Sequence, residues 1–139
     1  MDPVDITGRR SEILVVDDNV NVSRALGNLL FHAGFAPTVC TTGVEALDYL
    51  CHGAPGGAII DIHLPDISGL VISQHLRERH GPDIPIIIVS GDTSMDNLNA
   101  LPDVGATYFY SKPVRGSALV DRMRELTACH PATAEPQPL

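Results

Sequence analysis

The sequence predicts an α/β fold, a doubly wound five-stranded parallel sheet flanked by five helices. Short continuous runs of branched apolar residues alternate along the chain with segments of helical periodicity. The runs lack the polar alternation of strands that face solvent on one side, so they favour strands buried on both faces. Right-handed crossovers between such strands place helices on both faces of the sheet. The chain of 139 residues has the length of a single domain with short tails.

The first strand and the first helix follow the N-terminal leader. Ile13–Val16 is a continuous branched apolar run and predicts a buried strand. The next segment predicts an amphipathic helix that ends at Gly34, a typical stop residue. Its inward face is expected to consist of Val22, Ala25, Leu26, Leu29, Leu30 and Ala33.

Three further elements complete the first half of the chain. Thr38–Cys40 predicts a short strand at the edge of the sheet, where Pro37 is tolerated. Thr42 and Glu45 form a capping-box pattern that opens a second helix. Ala58–Ile60 predicts another strand that is buried on both faces.

The second half of the chain continues the alternation of helices and strands. The predicted elements are a helix at Ser68–His80, a strand at Ile84–Val89, a helix at Ser94–Leu101, a strand at Tyr108–Tyr110 and a helix at Ser117–Ala128. Pro102 directly follows the fourth helix. Since proline inside a helix costs about 3 kcal/mol, we expect this helix to stop early or to distort.

Composition and charge indicate how the chain is organised and where it works. We expect a flexible leader at residues 1–11, one domain at residues 12–129, and a Pro-rich tail or the start of a linker at residues 130–139. The sequence has neither a signal-peptide pattern nor a run of about 18 apolar residues, and its three cysteines show no paired spacing. These observations predict a cytoplasmic chain without a membrane partner. Nine basic and 17 acidic residues give a net charge of −8, which argues against direct nucleic-acid binding.

Five polar side chains stand where the predicted strands end. Asp17 and Asp18 follow the first strand, Asp61 the third, Ser90 the fourth and Lys112 the fifth. Ligands of such sheets bind at the carboxyl ends of the strands, beside a topological switch point. We therefore expect one rim of the sheet to carry three carboxylates, one hydroxyl and one ammonium.

The chemistry of this rim points to a phosphoryl group. Three carboxylates within a few ångströms repel one another and need compensation. Magnesium takes oxygen ligands and often sits between carboxylates and a phosphate, so it is suited to this role. Lys112 can neutralise part of the remaining charge, and Ser90 can donate a hydrogen bond to an incoming oxygen. With these partners, Asp61 is the expected nucleophile.

Each charged residue of the rim also has a plainer interpretation. Asp17 or Asp18 could be the N-cap of the helix that begins near Asn19. Asp61 could cap the loop that follows it, and Lys112 could be an ordinary surface lysine. A carboxylate directly after a buried strand is costly without a partner, which favours the functional interpretation of Asp61.

Four segments of the sequence resemble, in order, the signature segments of bacterial response-regulator receiver domains. They are Ile13-Leu14-Val15-Val16-Asp17-Asp18, Asp61-Ile62-His63-Leu64-Pro65-Asp66-Ile67-Ser68-Gly69, Val89-Ser90-Gly91, and Gly105-Ala106 followed by Lys112-Pro113. The resemblance covers nearly the whole chain, residues 12–128. It implies a flavodoxin-like sheet with the strand order 2-1-3-4-5.

The resemblance implies that Asp61 accepts a phosphoryl group from a histidine, carried by a sensor histidine kinase or a histidine phosphotransfer protein. It also implies that Mg²⁺ (or Mn²⁺) binds to Asp17, Asp18 and Asp61, together with the backbone carbonyl of His63. Lys112 would pair with Asp61 before phosphorylation and with a phosphoryl oxygen afterwards.

The resemblance further implies a conformational switch and a control on the lifetime of the phosphorylated state. Ser90 is expected to move toward the phosphate and Phe109 to turn inward, although core packing explains Phe109 nearly as well. His63 and Asp92 are expected to flank the hydrolytic water and to tune the rate of phosphate loss. The Lys112-Pro113 bond is expected to be cis, as in the family.

In the family, the fourth helix, the fifth strand and the fifth helix form the signalling face. The downstream target is not identified by the sequence, and a monomer or weak dimer is expected. The protein would assist its own phosphorylation and dephosphorylation, so we interpret it as a signalling switch and not as an enzyme with turnover.

Two other classes of function remain as alternatives. A phosphatase of the haloacid-dehalogenase kind also uses a strand-end Asp, but it normally has a second Asp where this chain has His63. A nucleotide- or flavin-binding module could share the same architecture. The sequence contains neither a G-x-G-x-x-G motif after a strand nor a G-x-x-x-x-G-K-[ST] motif, which disfavours that module.

Overall fold

Five parallel strands form one sheet in the computed structural model, which describes residues 10–91 and 94–129. The strands are β1 (Glu12–Val16), β2 (Ala36–Cys40), β3 (Gly57–Asp61), β4 (Ile86–Ser90) and β5 (Tyr108–Ser111). The helices are α1 (Val20–His32), α2 (Gly43–Leu50), α3 (Gly69–His80), α4 (Met95–Ala100) and α5 (Gly116–Cys129). The strand order is β2-β1-β3-β4-β5, so the predicted fold and strand order are confirmed.

The two faces of the sheet pack against different helices. Successive strand residues point to opposite faces, so each strand contributes to two apolar clusters. One cluster joins Ile13, Val15, Ile59 and Val89 to Leu26 and Leu30 of α1 and to Leu119 and Met123 of α5. The other joins Leu14, Val16, Ile60 and Ile88 to Ala46 and Leu50 of α2 and to Ile72 and Leu76 of α3. This two-sided burial is the reason that β1, β3 and β4 are continuously apolar.

Strand β2 is longer than predicted and includes Pro37. Ala36 N donates to Ser11 O at 2.8 Å, and Asp17 N donates to Cys40 O at 3.1 Å. Since alternate residues of a strand bond to opposite sides, Pro37 faces away from β1. The position without an N–H therefore lies on the free edge of the sheet. The edge offers one hydrogen-bond donor fewer to a strand of another molecule.

The predicted start of the fourth strand is wrong. Strand β4 begins at Ile86 and not at Ile84, and it extends to Ser90. Pro85 has no N–H to donate to a neighbouring strand, although its carbonyl accepts a hydrogen bond from Ala58 N at 3.0 Å. The third and fifth strands and the third to fifth helices agree with their predicted ranges to within one residue at each end.

Helix α1 differs from its prediction in the residues that it buries. Leu26, Leu30 and Ala33 lie in the core, as expected. Val22, Ala25 and Leu29 were expected on the same inward face but are exposed. The apolar residues of this helix cover a wider arc than one face of the sheet can bury.

Helix α4 ends at Ala100, before Pro102, as predicted for a helix that proline stops early. The chain after it is fastened to α3. Ser73 Oγ donates to Val104 O at 2.8 Å, and Arg77 Nη2 donates to Gly105 O at 2.6 Å. Gly105 adopts a φ of 77°, which favours glycine.

Residues 1–9 and 130–139, most of the predicted leader and the whole predicted tail, lie outside the described residues. Arg10, at the end of the predicted leader, donates to the carbonyls of Phe31 (3.0 Å) and Phe35 (3.4 Å). None of the helices within the described ranges has the length and apolarity needed to cross a bilayer.

Burial of Cys40 makes stability depend on pH in the alkaline range. Burial, and secondarily the charges of Glu45 and Asp48, raises the pKa of this thiol from 9.0 to about 11. The folded chain keeps a proton that the unfolded chain has lost, so this contribution is present below pH 9 and disappears as the pH approaches 11. We expect the free energy of unfolding to fall faster over this range in the wild type than in Cys40→Ala, by up to about 1.4 kcal/mol per pH unit.

Urea denaturation at a series of pH values would measure this difference. The exposed thiol of Cys51 provides the matched control, and Cys51→Ala should keep the wild-type profile. Parallel profiles for the wild type and Cys40→Ala would show that the buried thiol does not cause the alkaline loss.

Candidate functional site

Three carboxylates meet at the carboxyl edge of the sheet. Asp61 is the last residue of β3, and Asp17 and Asp18 directly follow β1, which pairs with β3. One oxygen from each of the three lies within 4.8 Å of the others. Asp17 and Asp61 are buried, whereas Asp18 is exposed. The order of strands changes between β1 and β3, so this cluster lies at the topological switch point.

Lys112 supplies the positive charge of the cluster. Its Nζ donates to Asp61 Oδ2 at 2.8 Å and to Asp17 Oδ2 at 3.3 Å. Partial burial alone would lower the pKa of this lysine, but the hydrogen bond to Asp61 and the charges of both carboxylates outweigh it, so the pKa is raised. The side chain is 33% exposed and remains open to an incoming group from solvent.

Each buried carboxylate is also held by a backbone amide. Asn19 N donates to Asp17 Oδ1 at 2.9 Å, and His63 N donates to Asp61 Oδ1 at 3.1 Å. In each of these carboxylates, one oxygen accepts a hydrogen bond from Lys112 and the other accepts one from a backbone amide two residues later. Asp61 therefore caps the loop that follows it and also forms an ion pair with Lys112.

The N-cap interpretation of Asp17 and Asp18 is wrong. Asn19 is the N-cap of α1, and its side chain accepts the hydrogen bond from Val22 N at 3.1 Å. Asn19 was not singled out in the sequence, although asparagine is among the strongest N-cap residues and directly precedes the helix. Because Asn19 caps the helix, the carboxylates of Asp17 and Asp18 are not needed as caps and can belong to the cluster with Asp61.

Strands β4 and β5 bring Ser90 and Lys112 to the same edge. Ser90 is fully buried at the end of β4, next to the strand that carries Asp61. Lys112 N donates to Ser90 O at 2.9 Å, which continues the pairing of these strands past Ser111. The Lys112-Pro113 bond is cis, as predicted.

Strand β5 separates its three aromatic residues. Phe109 is half-buried and packs, together with Leu101 and Ala106, against the apolar cluster on the α2 and α3 face of the sheet. Tyr108 and Tyr110 stack with ring centroids 6.2 Å apart. Arg122 of α5 lies over the Tyr108 ring and donates to the Tyr110 hydroxyl at 3.0 Å. The register of β5 thus points Phe109 to the interior on the side of α3.

Of the two residues predicted to tune phosphate loss, His63 and Asp92, only His63 lies within the described residues. The side chain of His63 is exposed, two residues after Asp61, and the residue forms an isolated antiparallel bridge with Ser68. This bridge closes the loop between β3 and α3, here called the acceptor loop (residues 62–68). Asp92 lies outside the described residues.

Asp66 is a second residue that the sequence reasoning missed. Its carboxylate accepts hydrogen bonds from Gly43 N and Val44 N, both at 2.8 Å, at the start of α2. The Pro65-Asp66 step is a recognisable turn signal. The position alone does not show that the side chain caps a distant helix.

A groove of about 460 Å³ runs beside the cluster, between α1 and the start of α5. The charged part of its wall is formed by Asp17, Asp61 and Lys112. The rest is mainly apolar and includes Val22, Ala25 and Leu29 of α1 with Pro113, Val114 and Leu119. The exposed apolar residues of α1 therefore border the charged cluster.

The oxygen ligands of the cluster fit a hard divalent cation. Asp17, Asp18 and Asp61 offer only carboxylate oxygens, the ligands that Mg²⁺ prefers. Their mutual repulsion is offset by a single lysine, which leaves negative charge for a cation to neutralise. The exposure of Asp18 keeps one side of the cluster accessible to the waters that Mg²⁺ usually retains.

Comparison with known proteins gives a consistent match. The family model of the response regulator receiver domain matches residues 13–124. The response regulator MprA of Mycobacterium sp. strain KMS is 34% identical over 114 residues, which are 82% of this chain and 49% of MprA. The chain thus spans about half the length of the curated relatives that it matches.

Solved structures share the fold. A CheY-like response regulator receiver domain protein from Methanospirillum hungatei JF-1 superposes with a TM-score of 0.83 at 24% identity, covering 89% of this chain and 98% of its own. The BeF3-activated receiver domain of DrrB from Thermotoga maritima gives a TM-score of 0.77 at 24% identity, covering 86% and 98%. The family match favours a receiver over the phosphatase and the nucleotide- or flavin-binding alternatives.

Proposed function

This chain belongs to the response regulator receiver domain family of two-component signalling, and from that premise we propose that Asp61 is its phosphoacceptor. The observation that carries the proposal is the pairing of two buried carboxylates, Asp61 and Asp17, with one half-open ammonium, Lys112. This arrangement sets the acceptor carboxylate beside a positive charge at the edge of the sheet, and the partly exposed Lys112 faces the solvent from which the phosphoryl group arrives.

Asp17, Asp18 and Asp61, with the backbone carbonyl of His63, would hold Mg²⁺ or Mn²⁺. The cation would supply neutralisation of the charge on the transferring group. Lys112 supplies a further positive charge through its contact with Asp61 Oδ2 at 2.8 Å. The proposal rests on a cluster whose ligating oxygens already lie within 4.8 Å of one another.

Phosphoryl transfer to Asp61 requires an in-line displacement. A carboxylate oxygen of Asp61 forms the new bond to phosphorus while the bond from phosphorus to the donor histidine nitrogen breaks. The electron pair of that bond returns to the histidine ring. Lys112 then exchanges its contact with the Asp61 carboxylate for one with a phosphoryl oxygen, which offsets the added charge of about −1.5 to −2.

Residues around the acceptor would respond to the phosphoryl group and would control its hydrolysis. Ser90 would donate its hydroxyl to a phosphoryl oxygen, and Phe109 would repack between two arrangements. The domain would assist hydrolysis of its own acyl phosphate. His63 and Asp92 would tune that rate from positions beside the attacking water.

The proposed phosphodonor is a sensor histidine kinase or a histidine phosphotransfer protein. A donor histidine that reaches Asp61 has to bring its protein against the neighbouring groove and α1. Among the described residues, the exposed apolar side chains of Val22 and Leu29 on α1 line this groove, whereas Val20 and Phe31 of the same helix line a separate pocket beside Pro37 and Val39. We therefore propose that apolar residues around the donor histidine dock on this helix.

The output of the domain is proposed to pass through α4, β5 and α5, where Phe109 links the interior to the surface. The chain spans about half the length of its curated relatives. A cytoplasmic location is part of the same proposal.

Acetyl phosphate provides the direct test. Incubation with acetyl phosphate and Mg²⁺ is expected to add one phosphate-sized mass to the wild-type protein, and excess EDTA is expected to prevent it. Intact-mass measurement gives the extent, and peptide mapping is expected to place the gain on the peptide that contains Asp61. A gain on another peptide would move the acceptor elsewhere, a gain that persists in EDTA would refute the metal requirement, and no gain under either condition would refute the function.

A further inference from the structure

The carboxylate of Asp66 joins the acceptor loop to the first turn of α2. Asp66 Oδ1 accepts hydrogen bonds from Gly43 N at 2.8 Å and from Ile67 N at 2.9 Å, and Oδ2 accepts one from Val44 N at 2.8 Å. These backbone donors, that of Gly43 first, lower the pKa of Asp66, so the group stays ionised at neutral pH. The contact therefore joins two segments that are far apart along the chain.

The N-terminus of α2 is capped by two different segments. Thr42 Oγ1 accepts a hydrogen bond from Glu45 N at 3.1 Å, and Glu45 Oε1 accepts one from Thr42 N at 3.2 Å, which completes a local capping box. That box leaves the amides of Gly43 and Val44 without an acceptor inside the helix. Asp66 satisfies both of them, and its negative charge lies at the positive end of the helix dipole.

The acceptor loop also packs closely against the start of α2. A Cβ placed on Gly43 would overlap Cγ1 of Ile67 and would lie 2.7 Å from its Cδ1. Glycine at this position leaves the space that the Ile67 side chain occupies against the start of the helix. The acceptor loop thus contacts α2 by side-chain packing as well as by the hydrogen bonds of Asp66.

Other hydrogen bonds hold the acceptor loop close to its two ends. Asp61 accepts the hydrogen bond from His63 N, and Gly69 N donates to Ile62 O at 2.7 Å. Asp66 fixes the outer part of the loop to α2 by hydrogen bonds, while Leu64 and Ile67 pack against the apolar cluster on the same face of the sheet. The same loop contains the backbone carbonyl of His63, which the proposed function assigns to the cation.

We propose that Asp66 is a positioning residue for phosphoryl acceptance, which holds the acceptor loop against α2 so that the metal-binding oxygens of Asp61 and His63 keep their arrangement. This inference rests on the proposed function of Asp61. Asp66 touches neither the reacting atoms nor the cation, and it acts through the loop that carries them.

The test compares Asp66→Ala with Thr42→Ala. Both variants remove capping bonds from the same helix, but only the first frees the acceptor loop. Isothermal titration of the unphosphorylated protein with Mg²⁺ is expected to show binding about tenfold weaker in Asp66→Ala, at the lower end of the effects of residues that orient metal ligands. Thr42→Ala is expected to bind Mg²⁺ as the wild type does.

Two further readouts separate positioning from a general loss of stability. Amide hydrogen exchange without metal is expected to accelerate at His63, whose N–H donates to Asp61 and not to Asp66, in Asp66→Ala but not in Thr42→Ala. Phosphorylation by acetyl phosphate is expected to slow at limiting Mg²⁺ and to recover at saturating Mg²⁺. Asp66→Asn keeps one acceptor oxygen and should give intermediate values, which preserves the test if the alanine variant does not fold.

An unchanged Mg²⁺ affinity in both Asp66 variants would overturn the inference, as would an equal loss in Thr42→Ala. These results differ from failure of the proposed function, in which the wild-type protein itself gains no phosphate. The inference on Asp66 and the assignment of Asp61 can therefore be rejected separately.

Discussion

Asp61→Asn is expected to abolish the phosphate-sized mass gain from acetyl phosphate while the protein stays folded. The amide nitrogen and oxygen of asparagine occupy the same space as the carboxylate, but they offer no anionic oxygen to attack phosphorus. Asp17 is buried and hydrogen-bonded in the same way as Asp61, but in the proposed function it belongs to the cation site and does not accept the phosphoryl group. The expected loss is therefore complete at all Mg²⁺ concentrations.

The stability of Asp61→Asn is expected to stay within about 1 kcal/mol of the wild type. The variant loses the ion pair with Lys112, but that lysine is one-third exposed and solvent weakens the pair. Removal of one of three clustered carboxylates also relieves repulsion, and Lys112 keeps its contact with Asp17 at 3.3 Å. Urea denaturation without metal measures the balance.

Asp18→Asn is the informative comparison. Asp18 belongs to the same cluster, but it is exposed and the family resemblance assigns it to the metal alone. We expect slow phosphorylation of Asp18→Asn at low Mg²⁺ and recovery at high Mg²⁺, whereas Asp61→Asn stays unmodified throughout. A full mass gain in Asp61→Asn would place the acceptor on another residue.

The sheet could be predicted from the sequence because its central strands are buried on both faces. Ile13–Val16 and the run that ends at Asp61 carry branched apolar residues on both sides, so no helical interpretation fits their length. The edges were less predictable. Pro37 argues against a strand unless its missing N–H faces outward, and that orientation depends on the pairing with β1.

The charged cluster could be predicted because it depends on strand ends. Asp17, Asp61 and Lys112 each stand at the carboxyl end of a strand, and parallel strands bring such ends together whatever the loops do. Asp66 could not be found in this way. Its partners lie 22 and 23 residues earlier in the chain, and only the packing of the acceptor loop on α2 brings them within reach.

The inward face of α1 was only half predictable for a related reason. Periodicity shows that Val22, Leu26 and Leu29 are apolar at helical spacing, but it does not show how wide an arc the sheet and α5 can cover. The residues left exposed border the groove beside Asp61. This local departure from the expected burial pattern is one support for a docking face on α1.

Gly69→Ala is expected to destabilise the fold by about 3 kcal/mol or more and to disturb the acceptor at the same time. A Cβ at this position would overlap the carbonyl oxygen of Asp61 and would lie 2.8 Å from its carbonyl carbon. The obstructing atoms belong to backbone at the end of β3, so no change of side-chain rotamer relieves the contact. Either the start of α3 or the acceptor strand has to move.

The sequence shows Gly69 as the last residue of a motif, and the structure gives the physical reason for it. Gly69 N donates to Ile62 O at 2.7 Å, so the start of α3 lies directly against the chain that leaves Asp61. Displacement of this contact is expected to shift Asp61 relative to Lys112. Phosphorylation by acetyl phosphate should therefore fall even under conditions in which the variant is fully folded.

Gly56→Ala is the matched control, because Gly56 directly precedes β3 at the end of the strand opposite to Asp61. A Cβ on Gly56 would meet its nearest neighbour, Glu12 O, at an ordinary distance of 3.6 Å. We expect its urea midpoint and its rate of phosphorylation to stay close to those of the wild type. If Gly69→Ala matched this control in both measurements, the close approach of α3 to Asp61 would have no role in stability or in acceptance, because the chain could absorb a methyl group there without moving the acceptor.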